Sequence, residues 1–139
     1  MSDNQQNPYR DWTIVSLLYC DGTGHQGFKK DPVEYNGTKL WFRGHNVTTG
    51  QLASVDKKYK LFSQATDIML TGQNAGGIAT LYWSKYISNK APKTAKIWLV
   101  PDNSMLLDSY NYLSKQYKYR TIIQNFMKLS NSEVDPPMT

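Results

Sequence analysis

Residues 72–77, Gly-Gln-Asn-Ala-Gly-Gly, have the layout of a hydrolase nucleophile elbow with an asparagine where the attacking hydroxyl would stand. In a Gly-x-Ser-x-Gly elbow the nucleophile lies on a sharp strand-to-helix turn, and the flanking glycines leave room for that turn. Gly72 and Gly76 occupy those two positions around Asn74. Because a carboxamide is not a nucleophile under ordinary conditions, the pattern predicts the turn of a serine hydrolase without its attacking group.

Asparagine suits such a turn better than most residues do. The nucleophile of an elbow has a strained, usually left-handed backbone, and asparagine tolerates positive φ. We therefore expect Asn74 to preserve the turn and Ala75 to offer its N–H, at the helix start, to an anion or carbonyl oxygen. Two alternatives remain open from the motif alone. A phosphate-binding turn is one, although the P-loop Lys-Ser/Thr pair and the dinucleotide spacing are missing, and a tight turn without function is the other.

The elements that must position the elbow follow from the hydrophobic pattern. Residues 65–71 form a short apolar run before a glycine, which predicts a buried strand. Helical spacing then predicts a helix, and residues 96–100 predict a second strand. The residues that define the helix are Ile78, Ala79, Leu81, Tyr82, Trp83 and Tyr86.

The rest of the chain continues the alternation of strands and helices. We expect a strand at 13–19, a polar loop to about 38 and an extended piece at 39–42. Strands alternating with helices predict an α/β fold with a mostly parallel sheet flanked by helices, in one domain over 1–132 with a proline-containing tail at 133–139. Two more helices are predicted, one over 49–62 from Leu52, Val55, Tyr59 and Phe62, and one from Tyr119, Ile122, Ile123, Phe126 and Met127.

Four separated segments together resemble one family, the pectin acetylesterases and their Notum-type carboxylesterase relatives. Residues 19–22, Tyr-Cys-Asp-Gly, follow an apolar run as they do in that family, and 40–44 contain its Phe-Arg-Gly. Residues 70–77 are similar to its Gly-x-Ser-Ala-Gly-Gly elbow, and 102–108 are similar to its Asp-x-Gly-x-Phe-Leu-Asp stretch. The resemblance spans roughly residues 8–110 and implies an α/β-hydrolase-like fold, of which this chain would be only a part.

The departures from the family pattern matter for function. Asn74 replaces the family's serine, Asn103-Ser104 loosens the Asp-x-Gly pattern, and the family's glycine-rich oxyanion segment has no counterpart. The resemblance places the catalytic acid and histidine beyond this chain, so we expect a fragment or one piece of a split protein whose fold other chains complete. Chain order agrees, because a hydrolase triad runs nucleophile, acid, histidine, whereas His25 and His45 both precede position 74.

The histidines and the cysteine do not indicate a metal site. Two histidines and a lone Cys20 lack ligand spacing, so we predict no metal and no cofactor. His25 is expected as a polar loop residue or as part of a ligand cleft, and His45 as structural.

Ligands of open α/β sheets bind beyond the carboxyl ends of the strands. That rule gathers the 19–28 loop, the elbow and the 102–108 loop at one edge. Besides Asn74 and the Ala75 N–H, the candidate ligand-contacting residues are Tyr19, Asp21, Gly22, Gln73, Gly76 and Asp102.

The net charge of +5 raises the question of an acidic partner. Lysines and an arginine alternate with tyrosines over 112–120, as in single-strand binders, but the basic residues are scattered along the chain, which favours a solvated surface over nucleic acid. An acidic polysaccharide or an acylated ligand fits the resemblance better. The sequons Asn36-Gly37-Thr38 and Asn46-Val47-Thr48 and the family resemblance favour a secreted or luminal location, although the polar start is unlike a signal peptide.

Three functions are therefore to be compared. The first is a degenerate family member that binds or serves as a structural subunit without hydrolysing esters. The second is an excerpt of an active carboxylic-ester hydrolase whose other catalytic residues lie outside this chain. The third is a basic carbohydrate or nucleic-acid binder on an unrelated α/β fold.

Overall fold

The computed structural model of the chain describes residues 4–105 and 107–132. Within these residues the strands form an antiparallel pair and a parallel pair, and helices accompany them. The predicted α/β class, with parallel strands flanked by helices, is confirmed. The elements run β1 Val33–Tyr35, β2 Thr38–Leu40, α1 Gly44–Tyr59, α2 Leu61–Gln64, β3 Asp67–Gln73, α3 Ala75–Lys90, β4 Lys96–Asp102 and α4 Tyr119–Ser130.

The unit that carries the elbow is β3–α3–β4. β3 and β4 pair in parallel along their whole length, from Asp67 opposite Lys96 to Gln73 opposite Asp102. Helix α3 packs against both strands. Its inner face joins the core, which consists of Leu52, Phe62, Ala79, Trp83 and Ile87, with Ile68 and Leu70 of β3 packed against it.

Both parallel strands extend further than the sequence predicted. β3 is shifted from 65–71 to 67–73, so Gly72 and Gln73 belong to the ladder. β4 continues past 100 and includes Pro101 opposite Gly72. A proline lacks an N–H but is accommodated at the edge of a sheet, where no further strand needs that donor.

The predicted strand at 13–19 is wrong. Residues 13–20 are neither strand nor helix, because a strand needs a ladder partner and this segment lies along α1 instead. The Leu18 N–H donates to the Gln51 side chain at 3.2 Å. Leu17 packs against the core, whereas Ile14 and Leu18 are exposed.

The polar loop predicted up to about residue 38 contains the first strand and the turn of a β-hairpin, which the hydrophobic pattern did not indicate. β1 pairs with β2 through a turn at Asn36 and Gly37, whose φ values of 48° and 75° are both positive. Asn-Gly is the strongest short hairpin signal, so the sequence held the information. Hydrophobic alternation did not show it because both strands are short and mostly exposed.

The single helix predicted over 49–62 is two helices in the structure, and the first of them begins before residue 49. α1 starts at Gly44 and ends at Tyr59, because Lys60 adopts a left-handed conformation (φ 56°, ψ 37°) that stops it. The Asp56 carboxylate then accepts the Phe62 N–H of α2 at 2.8 Å. The C-terminal helix is confirmed as α4, and the predicted tail at 133–139 lies outside the described residues.

The approach of β3 to α3 is too close for a side chain at Gly72. A Cβ on Gly72 would overlap the Gly76 carbonyl group and lie 2.9 Å from its Cα. A Cβ on Gly76, in contrast, would meet nothing within 4 Å. The predicted steric need for glycine is therefore confirmed at Gly72 and wrong at Gly76, because a side chain at Gly76 has open space around its Cβ.

We predict opposite effects for alanine at these two positions. Gly72→Ala must push α3 away from β3 and should lower the free energy of unfolding by about 1–3 kcal/mol, as overpacking does. Gly76→Ala, the control, should leave it unchanged or raise it by about 0.5–1 kcal/mol, because alanine favours a helix interior over glycine. Urea unfolding of both variants measures the difference. Equal midpoints would contradict the close approach.

Candidate active site

The elbow has the strained backbone that the sequence predicted. Asn74 has φ 54° and ψ −116° and stands between the end of β3 and the first residue of α3. Its φ is positive as expected, but its ψ is not that of a left-handed helix. The pair matches the first central position of a type II′ turn, which glycine, asparagine and aspartate favour. Asn74 therefore suits the turn chemically as well as sterically.

Main-chain hydrogen bonds fix the elbow from both sides. The Asn74 N–H donates to the Asp102 carbonyl at 3.0 Å, which ties the elbow to the end of β4. The Asn74 carbonyl accepts the N–H groups of Gly77 and Ile78 at 3.0 and 3.1 Å. The Asn74 side chain is exposed, and the N–H of Ala75 lies at the first helical position, where no intrahelical acceptor exists.

A serine beneath the elbow completes this arrangement. Ser104 is 8% exposed, and its Oγ lies 2.9 Å from the Asn74 carbonyl and 2.6 Å from the Asp102 carbonyl, so its single proton is donated to one of the two. A Cβ on Gly77 would overlap Ser104 Oγ. Gly77, and not Gly76, is thus the second glycine that the close packing requires.

The loop at 19–27 reaches the same place. The Tyr19 hydroxyl accepts the Gly24 N–H at 3.0 Å, and the Tyr19 ring stacks on His25 at 5.1 Å. Gly24 lies against the start of α3, where a Cβ on it would be 3.6 Å from the Ala75 carbonyl oxygen. The 19–27 loop, the elbow and the end of β4 therefore meet at the carboxyl edge of the parallel strands.

Asp21 holds this loop in shape. Its carboxylate accepts the Thr23 N–H at 3.1 Å, the Thr23 hydroxyl at 2.7 Å and the Gly44 N–H. Gly44 is the first residue of α1, where a negative charge is favoured by the helix dipole. Asp21 thus joins the loop to α1.

Comparison with known proteins shows which family the chain belongs to. The model of the pectinacetylesterase family matches residues 1–139. The chain belongs to the pectinacetylesterase family. Pectin acetylesterase 5 of Arabidopsis thaliana is 36% identical over 110 residues, which are 77% of this chain and 25% of that protein. Pectin acetylesterase 4 is 34% identical over 114 residues, 81% of this chain and 27% of that protein.

Pectin acetylesterase 11 of the same plant is 32% identical over 99 residues, which are 69% of this chain and 24% of that protein. The chain therefore spans about a quarter of the length of these curated relatives. No solved structure matches. Family membership also overturns the third function considered, since that one required an α/β fold unrelated to this family.

For a member of this family, the predicted site residues fall into two groups. Asn74, Gln73 and Asp102 are exposed at the strand ends, with Ala75 and Gly76 half-buried beside them. In the 19–27 loop, Gly22 and the Tyr19 ring are exposed, whereas the Asp21 carboxylate is engaged within the protein. Their roles toward a ligand stay predictions.

Sequence reasoning missed two residues that shape the site. In the sequence, Ser104 is only a departure from the family pattern, and no local pattern indicates its packing against Gly77. Trp83 was read as an ordinary helix residue. It is 5% exposed, and its indole N–H donates to the His25 carbonyl at 3.1 Å, which joins α3 to the loop.

His25 is more buried than a polar loop residue would be. It is 9% exposed, and its Nδ1 lies 3.0 Å from the hydroxyl of Thr48, which is fully buried in α1. Burial lowers the pKa of His25, and the nearby Asp21 charge opposes the shift. The structure thus gives His25 a structural contact with Thr48 of α1.

His45 is structural, as predicted. Its ring stacks on Trp83 at 4.9 Å and meets the edge of Phe28 at 5.1 Å. Its Nδ1 is buried with no hydrogen-bond partner in the described part of the chain. Burial lowers the pKa of His45, and the adjacent Asn46 side chain opposes the shift.

Two further properties concern residues 4–105 and 107–132. No three histidine, cysteine, aspartate or glutamate side chains there are placed to hold a metal ion together. None of the helices in that part of the chain has the length and apolarity that a membrane crossing needs.

The two histidines should make stability fall in mild acid. Because the folded-state pKa of each lies below the ordinary value of about 6.5, the unfolded chain binds more protons from about pH 6.5 downward. The contribution of the two histidines to the free energy of unfolding should therefore be complete above about pH 6.5. It should be lost as the pH falls from there through the lowered folded-state pKa values.

We predict that His45→Phe removes part of this pH dependence. Phenylalanine keeps the stack on Trp83 and removes the buried Nδ1, so it should leave stability at pH 8 unchanged or raised. Thermal unfolding at pH 8 and pH 5 of the variant and the unchanged protein measures the difference. An unchanged slope in the variant would contradict the assignment to His45.

Proposed function

We propose that this chain is a non-hydrolytic member of the pectinacetylesterase family that binds an acetylated acidic polysaccharide at the elbow. The observation that carries the proposal is Asn74. It lies at the strand-to-helix turn with the strained φ of 54°. In this proposal it stands at the nucleophile position, so the turn is kept while the attacking hydroxyl is replaced. A carboxamide can donate a hydrogen bond to a bound ester, but it does not form an acyl intermediate.

The two histidines of this chain are held by structural contacts. A serine hydrolase needs a histidine base within hydrogen-bond reach of its nucleophile. In this chain His25 is engaged by Thr48 and stacked by Tyr19, and His45 lies between Trp83 and Phe28. Both serve the packing of the loop and α1.

The elbow offers groups suited to an acetyl ester. The Ala75 N–H would donate to the acetyl carbonyl oxygen, and the exposed Asn74 amide would donate beside it. Gln73 and Asp102 flank this point on neighbouring strands and would contact sugar hydroxyls. The net charge of +5 would favour a polyanionic chain such as pectin, and such a ligand fits a secreted or luminal protein.

A second candidate function is an active ester hydrolase whose acid and histidine lie elsewhere in the protein. Two observations favour it. The elbow keeps the turn geometry and the Ala75 N–H, and the chain spans only about a quarter of its relatives' length. In that case Asn74 would be a variant residue that keeps the substrate bound, and serine at position 74 would give the active enzyme.

We predict that the native protein releases no acetate from acetylated pectin and is not labelled by a fluorophosphonate probe. Asn74→Ala should weaken its binding to acetylated pectin and leave binding to deacetylated pectin unchanged, since the amide contacts the ester. The measurements are acetate release, probe labelling and calorimetric titration on the intact protein. Turnover by the native protein, with labelling at the elbow, would refute the proposal.

Asn74→Ser separates the two candidate functions. A serine hydroxyl fits the same turn, so the variant tests whether the rest of the catalytic machinery is present. If the variant neither releases acetate nor is labelled by the probe, the protein is non-hydrolytic. If the variant releases acetate, the second candidate is favoured.

A further inference from the structure

The hairpin of β1 and β2 turns at a sequence that is also a glycan acceptor motif. Asn36, Gly37 and Thr38 form the triplet Asn-x-Thr, and Asn36 and Gly37 alone make the turn. Their φ values of 48° and 75° are both positive, which is typical of the type I′ turn that Asn-Gly favours. The acceptor amide therefore belongs to the tip of the hairpin.

The residues on either side of the turn are opposite each other across the hairpin. Tyr35 and Thr38 form the last pair of the β1–β2 register. Side chains directly opposite in an antiparallel pair lie on one face, with their Cβ atoms about 4.5–5.5 Å apart. Because Asn36 follows Tyr35 directly in the chain, the turn gathers an aromatic ring, an amide and a hydroxyl at one place.

The second triplet of this kind, residues 46–48, is folded into helix α1. Thr48 is fully buried there, and its hydroxyl lies 3.0 Å from Nδ1 of His25. A transferase that binds both the amide and the hydroxyl of the triplet would reach Thr48 only if α1 unfolded. The fold thus separates two triplets that the sequence presents as equivalent.

A sugar attached at the tip of the hairpin would have the Tyr35 ring beside it. The face of an aromatic ring carries a partial negative charge, which attracts the polarised C–H bonds on the face of a sugar. Among the described strands, β1 and β2 pair only with each other. Because a two-stranded hairpin by itself is at most marginally stable in water, such a contact would stabilise this one.

We propose that Asn36 is a site of N-linked glycosylation, that the first sugar of its glycan packs on the Tyr35 ring, and that Asn46 is not modified. The inference rests on the secreted or luminal location that accompanies the proposed function, since the donor and the transferase belong to that compartment. It needs nothing at the elbow.

The modification is a glycosyl transfer without oxidation or reduction. The Asn36 amide nitrogen attacks the anomeric carbon of an N-acetylglucosamine that is carried on a lipid diphosphate. A carbon–nitrogen bond forms, and the bond from that carbon to the diphosphate oxygen breaks. The lipid diphosphate leaves with the bonding electron pair, and a base of the transferase removes one proton from the amide.

The test directs the intact protein into the endoplasmic reticulum of a eukaryotic cell and maps its peptides by mass spectrometry. Glycan release by peptide N-glycosidase in isotopically labelled water marks each asparagine that was occupied. The Asn36 peptide should be marked and the Asn46 peptide should not. Asn36→Gln and Thr38→Ala should each abolish the glycan, whereas Asn46→Gln, the matched control, should leave it in place.

Thermal unfolding tests the contact with Tyr35. Enzymatic removal of the glycan should lower the melting temperature by about 2–4 °C more in the unchanged protein than in the Tyr35→Ala variant. Removal also converts the amide to an acid, but this change is common to both proteins and cancels in the comparison.

An unmodified Asn36 in the protein that has passed through the endoplasmic reticulum would overturn the site, and a glycan on Asn46 would overturn the selectivity. Equal losses of melting temperature would overturn the packing on Tyr35. Protein from the native source separates this inference from the proposed function. If Asn36 is modified in the directed protein and unmodified in the native one, the acceptor site is supported and the secreted or luminal location is refuted.

Discussion

The candidate site depends on the absence of side chains where β3, α3 and β4 converge. Gly72 approaches the main chain of Gly76, and Gly77 approaches Ser104 so closely that a Cβ at either glycine would overlap its neighbour. This contact sets the sharp angle between strand and helix. The angle in turn leaves Asn74 exposed and places the Ala75 N–H beside it at the strand ends.

Trp83 extends this local constraint to the rest of the site. Its ring stacks on His45 of α1, and its indole N–H holds the His25 carbonyl of the loop. The same loop is attached to the start of α1 through Asp21 and Gly44. One buried side chain of α3 therefore keeps the loop and α1 in position around the elbow, and it uses both histidines of the chain as packing residues.

The elbow offers a ligand main-chain and amide donors at the ends of the two parallel strands. This geometry suits a carbonyl oxygen.

The sequence alone determined the features that depend on neighbouring residues. The strand-to-helix turn at Asn74 and the helical face of α4 could be predicted, because local spacing and backbone preference decide them. The tertiary structure decided the rest. Residues 13–19 form no strand because pairing needs a partner, Gly77 rather than Gly76 is sterically required because Ser104 packs there, and His25 is buried because Thr48 and Trp83 meet it from other elements. Those outcomes depend on contacts between residues that are distant in the chain, and hydrophobic periodicity does not encode such contacts.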